Sequence, residues 1–150
     1  MIIQHERFVI EANDLENAGY VSSHIKKMLK EHNVSKQIIK RVAIATYEAE
    51  INVVIHSYGG ECRCSLHHNR IHVVFIDRGP GITDINQAMK EGYSTASMEA
   101  INYGFGAGMG LSNIRKASDE FKLDSSPQGT NLDIVIYLEL GENNESIAVS

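Results

Sequence analysis

"GFGAGMGLSN", residues 104–113, places glycine at every second position: Gly104, Gly106, Gly108 and Gly110. Glycine lets backbone approach a ligand closely, and amides at the start of a helix are a natural seat for phosphate. Spacing excludes two standard phosphate loops. A P-loop ends in Gly-Lys-Ser/Thr, and this stretch holds no lysine. A dinucleotide fingerprint needs glycines at its first, third and sixth positions. Counted from Gly104, Gly106 or Gly108, the sixth residue is Met109, Leu111 or Asn113. The run is a flexible turn or a cradle of another kind, and its surroundings decide which.

After the run, a helix restarts near Gly108 with Leu111, Ile114, Ala117 and Ser118 on its buried side. Before it, residues 79–108 read as a long loop with one short helical pattern, "DINQAMKE"; seven of the twelve glycines fall between residues 79 and 110. Loops of that length in a compact domain are functional or disordered. Two β-like runs come earlier, "ECRCSLHH" and "IHVVFID", joined by a hairpin at Asn69-Arg70. The second is continuously apolar from Val73 to Ile76, as an interior strand requires.

Further upstream, Ser35 caps a helix through "KQIIKRVAIATYEAEINVVIHSY" to Gly59-Gly60, with Ile38, Val42, Ala45, Ala49, Val53 and His56 on or near one stripe. Residues 6–12 alternate as a strand. Asn13 or Asp14 then caps a helix beginning at Leu15 and stopping at Asn33. "FKLDSS" and "TNLDIVIYLEL" close the fold as strands, and residues 141–150 read as a flexible tail. This order predicts one α+β domain over residues 1–140. It is a two-layer sandwich with helices on one face of a mixed, mostly antiparallel sheet.

Composition narrows the function. The 150 residues are 43% apolar and 22% charged, ordinary for a soluble globular chain. A net charge of −5 disfavours nucleic acid as the main partner. No apolar run approaches the roughly 20 residues of a membrane span, and the N-terminus lacks a signal-peptide core, so the cytoplasm is expected. Cys62 and Cys64 alternate with Leu66 as inward residues of a strand. Although His67, His68 and His72 lie near, a Cys-x-Cys pair with no second pair lacks the spacing of a zinc knuckle.

Four places carry candidate chemistry. In "ATYEAEINVVIH", Glu48 and Asn52 stand one turn apart on the same helix face, beside the apolar stripe. Glu50 points about 160–200° away and is expected in solvent. In "FIDRGPGI", a strand apolar up to Asp77 ends in Gly79-Pro80-Gly81, leaving a lone acceptor at the mouth of the core, suited to an exocyclic amine. The glycine run opens a helix, and Gly129-Thr130 precedes the closing strand.

Glu-x-x-x-Asn, strand-end Asp-x-Gly-x-Gly, glycines opening a helix and Gly-Thr before a strand, in that order over residues 35–140, resemble the GHKL (Bergerat-fold) ATP-binding domain. "DRGPGITDINQAM", "GYSTA" and "GFGAGMGLSNIRKASDEF" further resemble the small bacterial anti-sigma-factor serine/threonine kinases and the switch kinases of partner-switching modules. His5, in a strand-like run, does not look like the phosphorylatable histidine of a histidine kinase.

The resemblance implies ATP and Mg²⁺, with Asn52 as metal ligand and Glu48 as general base. Asp77 would accept from adenine N6 with Thr130 assisting, Gly79 and Gly81 would pass close to the base, and Gly104, Gly106, Gly108 and Gly110 would donate amides to the phosphates. Residues from about 83 to 107 would form an ATP lid. The implied substrate is a small antagonist protein, with a sigma factor or a phosphatase as further partner, and a homodimer through the first strand and helix. The lid departs from the pattern in having Lys90 as its one basic residue. That leaves the alternative of a non-catalytic, nucleotide-dependent regulator of a sigma factor or phosphatase.

Overall fold

The computed structural model of the chain describes residues 1–81 and 110–138. Five strands form one sheet: β1 (Ile2–Ile10), β2 (Gly60–His67), β3 (Arg70–Arg78), β4 (Glu120–Ser126) and β5 (Gly129–Tyr137), in spatial order β1-β2-β3-β5-β4. Every described pairing is antiparallel. Among the described residues three helices accompany it: α1 (Tyr20–Glu31), α2 (Lys36–His56) and α3 (Gly110–Ala117). α2 runs between the other two and packs against both. The two-layer α+β sandwich is as expected. The short pattern "DINQAMKE" and the tail at 141–150 lie outside the described residues.

Strand alternation builds the core in rungs. Leu66, Ile71 and Ile136 align across β2, β3 and β5. Cys64, Val73, Ile134 and Phe121 form the next rung, and Cys62, Phe75, Leu132 and Leu123 the third. Most of these side chains are buried under the helices, which contribute Ile25, Leu29, Val42, Ala49, Val53 and Ile114. Both cysteines are free thiols in this core, as anticipated. Burial holds the Cys64 thiol up at about 12 and Cys62 higher still, so neither is a nucleophile.

Ser35 caps α2 as predicted, its hydroxyl accepting from Ile38 N at 3.3 Å. The helix ends at His56, three residues before Gly59. The hairpin turn lies at His68-Asn69, one residue earlier than expected, and β1 spans Ile2–Ile10 rather than 6–12.

Other expectations fail more plainly. α1 starts at Tyr20 and not at Leu15, because Asn13 turns left-handed (φ 61°) to donate to Val54 O at 2.7 Å, and Gly19 (φ 105°) turns the chain again. Glu50 is not in solvent: it is 0% exposed, because α1 packs on the α2 face opposite the one carrying Glu48. Within α3, Ser112 takes the buried place expected of Ser118, which follows the helix.

Candidate functional site

The rung beyond Phe75 changes character. Its positions are Gly60, Asp77, Thr130 and Ser125 on four adjacent strands, on the same helix-facing side as the apolar rungs. Asp77 Oδ1 accepts from Thr130 N at 3.0 Å, and the Ser125 and Thr130 hydroxyls are 2.9 Å apart. Burial raises the Asp77 carboxyl above its ordinary value, while the Thr130 N–H and Arg78 act in the opposite sense. The sheet thus ends in a row of half-buried acceptors and hydroxyls where apolar packing stops.

Chain geometry at this end needs glycine. At Gly81, with φ 76°, a Cβ would stand 2.0 Å from Ser126 O and 2.9 Å from Ser125 Oγ, so the segment leaving β3 lies directly on the end of β4. Gly79 N donates to Gln128 O at 3.1 Å, and Tyr58 N to Arg78 O at 2.6 Å. The β3 exit is therefore pinned between the β4–β5 hairpin and the end of α2.

The second group of polar residues lies on α2 and α3. Glu48 and Asn52 are both half-buried, and the start of α3 approaches them closely. A Cβ at Gly110 would sit 3.4 Å from Asn52 Oδ1 and 3.5 Å from Glu48 Oε1. Asn113 Nδ2 donates to Glu48 Oε2 at 3.4 Å. Glu48, Asn52 and Gly110, all expected in the site, are brought together, as are Asp77, Thr130, Gly79 and Gly81. Gly104, Gly106, Gly108, the lid segment 83–107 and its Lys90 lie outside the described residues.

Two contributors escaped the sequence reading. Ser125 is legible once Pro127-Gln128 is read as a hairpin tip, because the register then sets it opposite Thr130. Asn113 carried no signal of its own: a polar residue on an amphipathic helix is ordinary until the helix is docked. His5, exposed and paired with Ser65 Oγ at 2.9 Å, belongs to the outer face of the sheet. A cavity of about 240 Å³ also opens at this end; Gly60 and Asp77 of the polar rung line it together with the outward-rung residues Val9, Glu61 and Ile76, so it borders the Asp77 row.

Residues 12–136 match the histidine kinase-like ATPase domain. The chain belongs to that family. Among relatives of this ATPase domain, the serine/threonine-protein kinase RsbT of Bacillus subtilis (strain 168) is 27% identical over 117 residues, covering 71% of this chain and 82% of RsbT. The anti-sigma F factor of Caldanaerobacter subterraneus subsp. tengcongensis is 26% identical over 129 residues, covering 82% of this chain and 87% of the factor. A crystal structure of the RsbU and RsbW domains of Rv1364c from Mycobacterium tuberculosis shares the fold with a TM-score of 0.62 at 16% identity. The match takes in 90% of this chain and 32% of that one. The GHKL sandwich anticipated from the four sequence boxes is the observed one.

The residues of this ATPase domain fit a magnesium–nucleotide pair. Among the described residues no cluster of three His, Cys, Asp or Glu could hold a metal by itself. Mg²⁺ usually takes one or two protein oxygens and completes its shell with phosphate and water. Asn52 Oδ1 beside the side-chain-free Gly110 is a donor of that kind, with room where a Cβ would otherwise stand. No helix among the described residues is long and apolar enough to cross a membrane.

Proposed function

We propose that the chain binds ATP with Mg²⁺ and transfers the γ-phosphoryl group to a serine or threonine hydroxyl of a small antagonist protein in a partner-switching module. The observation that carries this reading is the half-buried Glu48 carboxylate set beside Asn52 and Gly110 and held by Asn113. Nucleotide binding alone has no use for a carboxylate beside the phosphates, where its charge is repelled. A base for an incoming hydroxyl does. The names of the kinase RsbT and the anti-sigma F factors support the same reading.

Each residue then has a task. Asp77 accepts from the adenine N6 amine, with Thr130 and Ser125 supplying hydroxyls along the same row. Gly79 and Gly81 keep backbone close to the base. Gly110, at the start of α3, presents its amide to the phosphates, and the resemblance gives the same task to Gly104, Gly106 and Gly108. Mg²⁺, when bound through Asn52, neutralises charge on the phosphates. Glu48 takes the proton from the attacking hydroxyl as its oxygen bonds the γ-phosphorus, and ADP departs with the electrons of the broken bond. Residues 83–107 are the lid, the protein works in the cytoplasm, and the first strand and helix pair two copies.

Phosphotransfer from labelled ATP to a candidate antagonist protein tests the assignment. Glu48→Ala is expected to slow transfer by about 10²–10⁴-fold while fluorescent-nucleotide affinity stays within about threefold. Undiminished transfer would remove Glu48 from the mechanism. The single basic residue of segment 83–107, Lys90, favours a second reading, a regulator that holds its partner only with nucleotide bound. Partner binding indifferent to Glu48→Ala, without any transfer, would select it.

A further inference from the structure

α1 begins without a cap of its own. Gly19 stands at its N-cap with no side chain to accept from the first turn. The acceptor comes from α2: Glu50 Oε2 accepts from Gly19 N at 3.0 Å and Val21 N at 3.2 Å, and Oε1 from Ser22 N at 3.2 Å. Its side chain is wholly buried, and burial raises its carboxyl above the ordinary value against the pull of those three amides. The Tyr47 ring lies beside Gly19, and two hydroxyls bridge the helices nearby. Ser22 Oγ donates to Ala43 O at 3.2 Å, and Thr46 Oγ1 donates to Ser22 Oγ at 3.3 Å.

Apolar side chains such as Val42 and Val53 already pack α2 into the core, and a carboxylate clamped by three backbone donors adds a directional bond on the α1 side of the helix. Glu50 lies two residues from Glu48 and two from Asn52, about 160° around α2 from both. At a side-chain radius of about 5 Å, a rotation of roughly 15° would carry Glu48 and Asn52 on the order of 1 Å relative to Gly110. A displacement of that size in a reacting or binding group costs up to about 10²-fold.

We propose that Glu50 is a positioning residue: by capping α1 across the helix interface it fixes the rotation of α2, and so aims Glu48 and Asn52 at Gly110 and the nucleotide phosphates. This inference rests on the nucleotide reading of the site. Glu50 touches neither substrate nor metal and acts only through the turn it shares with them.

The test compares wild type, Glu50→Gln, Glu50→Asp and a packing control, Ile25→Val in α1, all at a temperature where circular dichroism finds each variant folded. Gln replaces one acceptor oxygen by a donor facing backbone amides, and Asp keeps the charge but shortens its reach. Magnesium–mant-ATP affinity is expected to fall tenfold or more in Glu50→Gln, less in Glu50→Asp, and not at all in Ile25→Val despite its lower melting temperature. The side-chain amide signal of Asn113, which reports its bond to Glu48 without nucleotide, is expected to move in the two Glu50 variants alone. Wild type that binds no mant-ATP defeats the nucleotide reading but leaves the Asn113 signal to judge the clamp. Folded Glu50 variants with wild-type affinity and an unmoved Asn113 signal overturn the positioning role. So does loss of folding in both, which assigns Glu50 to folding alone.

Discussion

Asp77 joins a structural role to the ligand-binding role proposed for it. Its carboxylate continues the inward row of Ile71, Val73 and Phe75, yet it is spent on a single described partner, Thr130 N. Asp77→Asn keeps an amide oxygen for that bond but offers NH₂ where an amine ligand needs an acceptor. Adenine-nucleotide affinity is therefore expected to drop at least tenfold, with a change in unfolding free energy of no more than about 1 kcal/mol. Paired titration and thermal melts separate the two effects. Asp77 was visible in the sequence because an apolar strand led straight to it. Glu50 was not, since its burial depends on which side of α2 another helix occupies.

Among the elements, α2 is the organiser: it holds Glu48 and Asn52 toward α3 and Glu50 toward α1. Its start was readable, because an N-cap bond is local. Ser35→Ala removes the acceptor for Ile38 N and should cost about 1 kcal/mol, lowering the melting temperature by roughly 2–4 °C. The end of α3 is fastened to α2 by Arg41, which donates to Ala117 O at 3.1 Å and pairs with Asp119 at 3.1 Å. On the outer face of β1 and β2, Arg7 at 2.7 Å and Arg63 both grip Glu61 and lower its carboxyl to about 2. A depressed carboxyl contributes stability above its unfolded value of 4.5, and that contribution disappears as pH falls toward 2. Acid melts of Glu61→Gln are thus expected to show a shallower loss between about pH 4.5 and 2 than wild type. Identical slopes would mean the bridge does not persist in solution.

Across the whole molecule, three apolar rungs and the helix layer anchor a polar fourth rung at one end. Ile114 is 0% exposed and holds α3 down, and with it Gly110 against Asn52 and Glu48. Ile114→Ala should cost about 2–5 kcal/mol, read as a lower urea midpoint. If α3 carries the phosphate end of the site, as proposed, nucleotide affinity should weaken with it. A destabilised variant that still binds nucleotide as wild type would uncouple α3 packing from the site.

The sequence by itself determined the order of elements, the interior character of β3, the inward cysteines and the α+β sandwich. All of these follow from periodicity, turn chemistry and caps acting within a few residues. It also placed Glu48 and Asn52 on one helix face and Asp77 at a strand end. Only the tertiary structure decided that Ser125 stands opposite Thr130, that Asn113 reaches Glu48, and that Glu50 is sealed beneath α1. Those facts depend on strand register and on which helix faces meet. Residues as far apart as 19 and 50, or 48 and 113, acquire their partners only when the chain packs.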